Sequence, residues 1–195
     1  MLYHKIQRVQ RILNEASRAT DKFCKLSGLT GIQGCHDCCL KNDIMASPLE
    51  FLPMAYALYK KGNADKIYDR MGKLKENRPC FFLSIKNKKG GCSQYENRGL
   101  ICRLFGFSSN TDKENHPRLI TCKKIKETEA YRLLTPEIME KTPRFQNFYI
   151  QLEAIDFSMA GEQIQINDAI RRAIEIVLNY ESMQHHKFPA YNSGT

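Results

Sequence analysis

The segment Gly34-Cys35-His36-Asp37-Cys38-Cys39 constrains this chain more than any other, because it brings three thiols into five successive positions. Adjacent cysteines form a disulfide only through a strained ring, since ordinary disulfide geometry holds the two Cα atoms well apart. Cys35 and Cys38 instead have the C-x-x-C spacing that allows two sulfurs to bind one metal ion. The segment therefore predicts a metal-binding loop rather than a disulfide framework.

The other cysteines are spaced as if the chain returns to complete such a site. They are Cys24, Cys80, Cys92, Cys102 and Cys122. Eight cysteines among 195 residues are too few for a secreted disulfide scaffold, and in a cytosolic chain clustered cysteines more often serve metal or redox chemistry. The first residues lack the apolar core of a signal peptide, and no long uncharged run suggests a membrane span. We therefore expect a cytoplasmic protein that has no membrane partner.

The basic character of the chain does not by itself indicate a nucleic-acid partner. The formal net charge is +9, but each metal-bound cysteine is a thiolate and removes one unit of positive charge. Basic residues such as Arg98 and Arg103 lie beside cysteines in the sequence and can offset a negatively charged metal–thiolate centre. Because no basic–aromatic recognition module is present, we expect no nucleic-acid binding, while amphipathic helix faces leave room for a protein partner.

Helical patterns flank the cysteine-rich part of the chain. Apolar residues recur at three- and four-residue steps through residues 2–26 and predict a long amphipathic helix. Ser47-Pro48-Leu49-Glu50 combines an N-cap serine, a proline at the first helical position and a glutamate at the third, which predicts a helix that stops near Gly62. Asn63 is predicted to cap the next helix, and Arg78-Pro79 is predicted to end it.

The middle and the end of the chain give further expectations. Residues 80–105 predict either two short strands or a strand followed by one helical turn, and residues 108–118 predict a polar loop. Helix starts are expected at Thr135-Pro136 and Thr142-Pro143. The last helix is expected to be capped by Asn167 or Asp168, and the chain after Tyr180 is expected to fray.

Together these patterns predict a mainly α fold, in which a helical scaffold surrounds an irregular cysteine-rich metal-binding centre with a few short strands. One domain over residues 1–195 is expected from the length. Its expected parts are an N-terminal helix (1–30), the cysteine-rich region (31–125), C-terminal helices (126–182) and a flexible tail (183–195).

The order of motifs between residues 80 and 105 is recognisable. Cys80-Phe81-Phe82-Leu83 precedes Gly91-Cys92-Ser93-Gln94-Tyr95-Glu96-Asn97-Arg98, which precedes Cys102-Arg103-Leu104-Phe105. With Cys35-His36-Asp37-Cys38-Cys39 upstream, this arrangement resembles the YkgJ-type C-x-x-C-x-x-C-C family of zinc- or iron-chelating proteins. It is also distantly similar to the cysteine-rich domain of flagellin lysine methylases, a resemblance that implies an iron–sulfur cluster and S-adenosylmethionine.

The resemblance implies a set of metal ligands, namely Cys35, Cys38, Cys39, Cys80, Cys92 and Cys102. Cys122 is added from its spacing and its Thr-Cys-Lys context, and Tyr95, Arg98 and Arg103 are candidates for orienting the loops or donating to sulfur. The chain departs from the family pattern at two positions, because Ile32 stands where the first cysteine is expected and Gly99 replaces a proline.

We therefore predict a protein that chelates zinc or iron, including the case of a 4Fe–4S cluster, through clustered cysteine thiolates. The first alternative is an iron–sulfur enzyme of methyl-transfer or redox type, although no C-x-x-x-C-x-x-C radical motif is present. The second is a zinc-stapled basic module that binds nucleic acid or protein. Thiolate softness does not separate zinc from iron–sulfur. Because Cys38 and Cys39 are expected to point apart, the pattern favours two centres, or one bound and one spare thiol.

Overall fold

The computed structural model describes residues 1–75, 78–86 and 89–185. Helices make up most of this part of the chain, which confirms the mainly α prediction. The helices have these bounds: α1 Leu2–Ser27, α2 Asp37–Leu40, α3 Pro48–Lys60, α4 Ala64–Gly72, α5 Leu100–Leu104, α6 Lys123–Lys126, α7 Glu129–Arg132, α8 Pro136–Met139, α9 Phe145–Glu153, α10 Phe157–Gly161 and α11 Ile166–His185. The strands have these bounds: β1 Met45–Ala46, β2 Leu83–Lys86, β3 Lys89–Cys92, β4 Ser108–Thr111, β5 Pro117–Ile120 and β6 Ile164–Gln165.

Helix α1 forms where the apolar periodicity predicts it. Its buried side chains fall on one face, from Leu2 to Phe23, because residues three and four apart lie above one another on a helix. The helix ends at Gly28, which takes the left-handed conformation (φ 71°) and donates its N–H to the Cys24 carbonyl. Glycine adopts this conformation without the steric cost that a Cβ atom brings.

Helix α3 lies at the centre of the molecule. It begins at the predicted capping box, in which the Glu50 side chain accepts the Ser47 backbone N–H at 3.0 Å. Nine of its residues are buried, because α11 packs along it on one side and α1 on another. The chain then turns at Gly62 (φ 67°). Removal of this apolar surface from water is the main force that holds the three helices together.

The strands form three separate antiparallel pairs, β1 with β6, β2 with β3 and β4 with β5. The prediction of a polar loop over residues 108–118 is wrong, because β4 and β5 form a hairpin there, with Ser108 opposite Ile120. The hairpin escapes notice in the sequence because Ser108 and Ser109 are polar but fully buried. The Ser109 N–H donates to the Pro143 carbonyl at 2.9 Å.

Two of the predicted helix limits in the middle of the chain differ from the structure. Helix α4 ends at Gly72, well before Arg78-Pro79. Its N-cap is Asn63, as predicted, although the Asn63 side chain makes no capping bond. Thr142-Pro143 does not start a helix, because the Pro143 carbonyl accepts a hydrogen bond from β4. Helix α9 begins only at Phe145. The start at Thr135-Pro136 is confirmed, since the Thr135 side chain accepts the Ile138 N–H.

The last helix, α11, is longer than predicted at both ends. It begins at Ile166, so that neither Asn167 nor Asp168 is its N-cap, and it continues past Tyr180 to His185. The predicted flexible tail lies outside the described residues from position 186 onward. Within the part of the chain that the structure describes, no helix has both the length and the apolar character needed to cross a bilayer.

Candidate metal centre

The first group of thiols lies on a single short helical turn. Cys38 and Cys39 belong to α2, and their sulfurs are 3.9 Å apart. The prediction that these two side chains point apart is therefore wrong. Successive residues on a helix differ by about 100° in direction, not by the 180° of a strand. Two sulfurs bound to one tetrahedral zinc ion are about 3.8 Å apart, so the pair already has the separation that a shared ion requires.

A direct backbone bond joins this turn to the next cysteine in the chain. The Cys80 N–H donates to the Cys39 carbonyl at 2.9 Å. Asn167 of α11 holds the segment that leads to Cys80, because its Oδ1 accepts the Phe81 N–H at 2.8 Å and its Nδ2 donates to the Pro79 carbonyl at 3.0 Å. The sequence predicts that Asn167 caps a helix, whereas in the structure the Asn167 side chain holds the loop at Pro79 and Phe81, which is distant in the chain.

The β2–β3 hairpin adds Cys92 to the same region. Cys92 pairs with Leu83, and Gly90 pairs with Ile85. The Gly90 N–H donates to the Gly34 carbonyl at 3.2 Å, and the His36 ring packs directly on Gly90. A Cβ atom at Gly90 would lie 2.1 Å from His36 Nδ1 and 2.3 Å from its Cγ. The hairpin can therefore approach the cysteine loop only because residue 90 has no side chain.

Gly90→Ala should therefore separate the hairpin from the loop, whereas Gly91→Ala should not. A Cβ at the neighbouring Gly91 meets nothing within 4 Å, so the two variants share one strand and one chemical change. Overpacking should lower the free energy of unfolding of Gly90→Ala by about 1–3 kcal/mol. Denaturant titration of both variants measures this difference. Equal stabilities would show that the contact between His36 and Gly90 does not hold the hairpin in place.

Helix α5 presents Cys102 from a third direction. Its N-terminus is held by Glu50 of α3, whose Oε2 accepts the Ile101 N–H at 2.8 Å. Gly99, where the family pattern has proline, has a φ of −66° that proline could adopt. A Cβ there would nevertheless lie 2.5 Å from the Phe51 ring, which is buried. Glycine is therefore required at position 99 to leave room for the Phe51 ring, and not because the backbone takes a conformation that only glycine adopts.

Two arginines fix the backbone around Cys102. The Arg98 guanidinium lies over the Tyr95 ring, 3.6 Å from its centroid, and donates to the Tyr95 carbonyl at 3.0 Å and the Cys102 carbonyl at 3.4 Å. Arg103 donates to the Arg98 carbonyl at 2.8 Å and to Ser17 Oγ of α1 at 2.6 Å. These bonds orient the loop between β3 and α5 through its carbonyls.

Five thiols lie close enough to affect one another electrostatically. Cys39 interacts with Cys38, Cys80 and Cys102. Cys92 interacts with Cys38, and it also acts on Cys80 and Cys102. These residues, Cys38, Cys39, Cys80, Cys92 and Cys102, are called the thiol cluster below. They come from three segments of the chain, and three of them also pack against the main core.

The environment of the thiol cluster controls its protonation. Burial raises the pKa of Cys80 to about 11 and raises the pKa of Cys92 and, more strongly, of Cys102. A hydrogen bond from Cys39 lowers the pKa of Cys38 to about 6, with a smaller contribution from the Arg98 charge, and the same bond raises the pKa of Cys39. Four of the five sulfurs therefore carry protons at neutral pH, and a metal ion would have to displace them.

The other predicted ligands have different neighbours. Cys35 and Cys122 both interact with Lys124, whose ammonium forms an ion pair with Asp37 at 2.7 Å. Cys122 packs against the second, smaller core cluster around Phe23, Leu29 and Ile125. Cys35 and Cys122 therefore form a second group of thiols, around Lys124, next to the thiol cluster.

The donor set of the thiol cluster fits a soft metal ion or an iron–sulfur centre, because its ligand atoms are sulfurs. The sulfurs are not closed around one point. Within the described residues, no three cysteine sulfurs lie within 4.8 Å of one another. Binding of a single tetrahedral ion would therefore draw the side chains inward, whereas a multi-iron centre separates its thiolates because each binds a different iron.

Sequence reasoning missed some residues that shape the site. Glu50 is recognisable only as part of a capping box, and Asn167 has no pattern that reveals its distant partners. A separate group, Asp112, Glu114 and His116, brings its ligand atoms within 4.8 Å of one another at the β4–β5 tip. Asp112 Oδ1 already accepts two backbone N–H groups there, and Glu114 and His116 are exposed, so this group receives no assignment.

Comparison with known proteins identifies one family. The model of the CxxCxxCC family, described as "Putative zinc- or iron-chelating domain", matches residues 32–144, which is more than half of the chain. The match includes every member of the thiol cluster as well as Cys35 and Cys122. No curated protein and no solved structure matches, so the similarity to flagellin lysine methylases stays a prediction.

Proposed function

The chain belongs to the CxxCxxCC family of zinc- or iron-chelating domains, and on that basis we propose that it binds zinc or iron through the thiolates of the thiol cluster. The proposed ligands are Cys38, Cys39, Cys80, Cys92 and Cys102. Cys35 remains a proposed ligand because it shares a C-x-x-C spacing with Cys38. Cys122 remains a proposed ligand of an adjacent centre that includes Cys35.

The observation that carries this proposal is the convergence of three segments that are distant in sequence. Cys39 and Cys80 are joined by a backbone hydrogen bond of 2.9 Å, and Cys102 interacts electrostatically with Cys80 and Cys92. All four cysteine motifs thus meet although little regular structure connects them. Packing alone gives no reason to bring five thiols together, because apolar residues would fill the same space better, whereas a metal centre requires several sulfur ligands at one place.

A metal bound here would act as a cross-link between these segments. The positive charge of the metal would stabilise the thiolates that bind it. The protein positions the sulfurs and balances their negative charge. The Arg98 charge adds to the lowering of the Cys38 pKa by the bond from Cys39 and partly opposes the rise that burial causes in the Cys92 pKa, which favours the thiolate form that metals bind. This arrangement supports a structural, storage or accessory role for the metal.

A multi-iron centre is the second candidate. The spread of the sulfurs, with no three within 4.8 Å among the described residues, favours an iron–sulfur cluster over a single closed zinc ion. Cys39, Cys80 and Cys102 come from three separate segments, and in one cluster each thiolate binds a different iron.

Metal analysis of protein purified without oxygen distinguishes the candidates. Zinc at a stoichiometric ratio in colourless protein is expected for thiolate zinc, and iron with broad visible absorption and acid-labile sulfide is expected for a cluster. A protein that contains neither metal, and takes up neither when reduced and titrated with each, would contradict the proposal.

A further inference from the structure

Glu50 is a fully buried acidic residue whose bonds extend beyond its own helix. Its exposed fraction is 0%, and no basic side chain pairs with it in the described residues. Oε1 accepts the Ser47 N–H at 3.0 Å, which is the capping bond of α3. The same oxygen accepts the Tyr149 hydroxyl of α9 at 3.2 Å, and Oε2 accepts the Ile101 N–H of α5 at 2.8 Å.

The bond to Ile101 completes a helix that cannot cap itself. The first N–H groups of any helix have no partner within it, and α5 contains only five residues with glycine at its N-cap. Gly99 has no side chain that could accept these N–H groups. The carboxylate of Glu50 takes that role from the neighbouring helix and fixes the first turn of α5 at Ile101, one residue before Cys102.

The surrounding contacts leave this carboxylate little freedom. A Cβ at Gly99 would lie 2.9 Å from Glu50 Oε2, so the loop before α5 runs directly against the carboxylate. Tyr149 holds the opposite oxygen from a third element. Movement of Glu50 would therefore move the backbone that carries Cys102, and the sulfur with it.

We propose that Glu50, held in place by Tyr149, is a positioning residue that sets the location of the Cys102 sulfur in the metal centre. The proposal rests on the proposed function. Residues that orient a metal ligand commonly change metal affinity by on the order of 10- to 100-fold when they are replaced. Glu50 itself need not touch the metal, since its effect passes through the Ile101 N–H.

A double-mutant cycle between Glu50→Gln and Cys102→Ser tests the proposal, with cobalt(II) as the metal probe in the full chain. Glutamine keeps the size of the side chain. Its NH₂ group, however, must face one of the two backbone N–H groups that donate to Glu50 in the wild type, that of Ser47 or that of Ile101. Cobalt affinity and the sulfur-to-cobalt charge-transfer absorption are measured for the wild type, both single variants and the double variant. The absorption reports the number of bound thiolates, which a general loss of stability does not change.

Glu50→Gln should lower cobalt affinity by about 10- to 100-fold and should remove one thiolate's share of the absorption. Cys102→Ser should lose the same share, and the double variant should lose no more than Cys102→Ser alone. Val177→Ala, a truncation in the buried part of α11, controls for stability and should leave the absorption unchanged. If Glu50→Gln does not fold, Tyr149→Phe enters the same cycle with a smaller effect of the same sign.

Additive effects in the cycle would overturn the positioning role while leaving metal binding intact. Full affinity and absorption in Cys102→Ser would overturn it as well, because the sulfur that Glu50 is proposed to position would then not bind the metal. A wild-type protein that binds none of cobalt, zinc and iron would overturn the proposed function and this proposal together.

Discussion

Cys80→Ser should abolish tight zinc or iron binding. Cys80 lies among the sulfurs of the cluster, since its pKa responds to Cys92 and Cys38 and its backbone is bonded to Cys39. A serine hydroxyl stays protonated at neutral pH and cannot replace a thiolate as a soft ligand. We expect metal affinity to fall by about 100-fold or more, that is by roughly 3 kcal/mol of binding free energy.

Cys24→Ser is the matched control for this experiment. Burial raises the pKa of Cys24 to about 11, as it does for Cys80, and both residues are half-buried. The charge that acts on Cys24 is that of Asp21, not that of another cysteine. Competition with a chromophoric chelator should therefore give the wild-type affinity for Cys24→Ser. Equal losses in the two variants, or none in Cys80→Ser, would remove Cys80 from the site.

Metal removal should loosen one part of the molecule and leave the helical core folded. Cys92 ends a pair of four-residue strands, Cys80 lies in the irregular chain just before that pair, and Cys102 lies on a five-residue helix. A two-stranded hairpin alone is marginally stable in water, so metal binding energy should contribute directly to the order of this region. Amide hydrogen exchange in β2, β3 and α5 should therefore accelerate after chelation.

The long helices give the internal control. Amides in the interiors of α1 and α11 should keep their protection, because these helices are held by apolar contacts with α3. The melting temperature should also fall. At free metal of about 100 times Kd, binding stabilises the folded state by about 2.7 kcal/mol, which corresponds to roughly 5–10 °C for a chain of this size. Uniform exchange changes, or none, would contradict a metal that orders this region.

The sequence predicted the helical scaffold because the signals for α1 and α3 are local. Apolar periodicity fixes the buried face of α1, and the capping box at Ser47 and Glu50 fixes the start of α3. The ordered cysteine motifs and their spacing predicted seven metal ligands; five of these thiols affect one another electrostatically in the structure, and their role as ligands stays a prediction. The chain order of Cys39 and Cys80 gives no hint that a backbone bond joins them.

The errors arise where a tertiary contact overrides a local preference. Asn167 has the chemistry of an N-cap, but its amide serves the loop at Pro79 and Phe81. Ser108 and Ser109 are polar, so their burial in a hairpin against Pro143 is hidden in the sequence. In each case the decisive partner lies more than 30 residues away in the chain, beyond the range of periodicity or capping rules.

X-ray absorption at the metal edge of the anaerobically purified wild-type protein tests the central claim most directly, because it reports the identity and distance of the ligand atoms. Thiolate binding by the cluster predicts a first shell made of sulfur, at about 2.3 Å from zinc. A first shell made of nitrogen and oxygen atoms, at about 2.0–2.2 Å, would contradict the account.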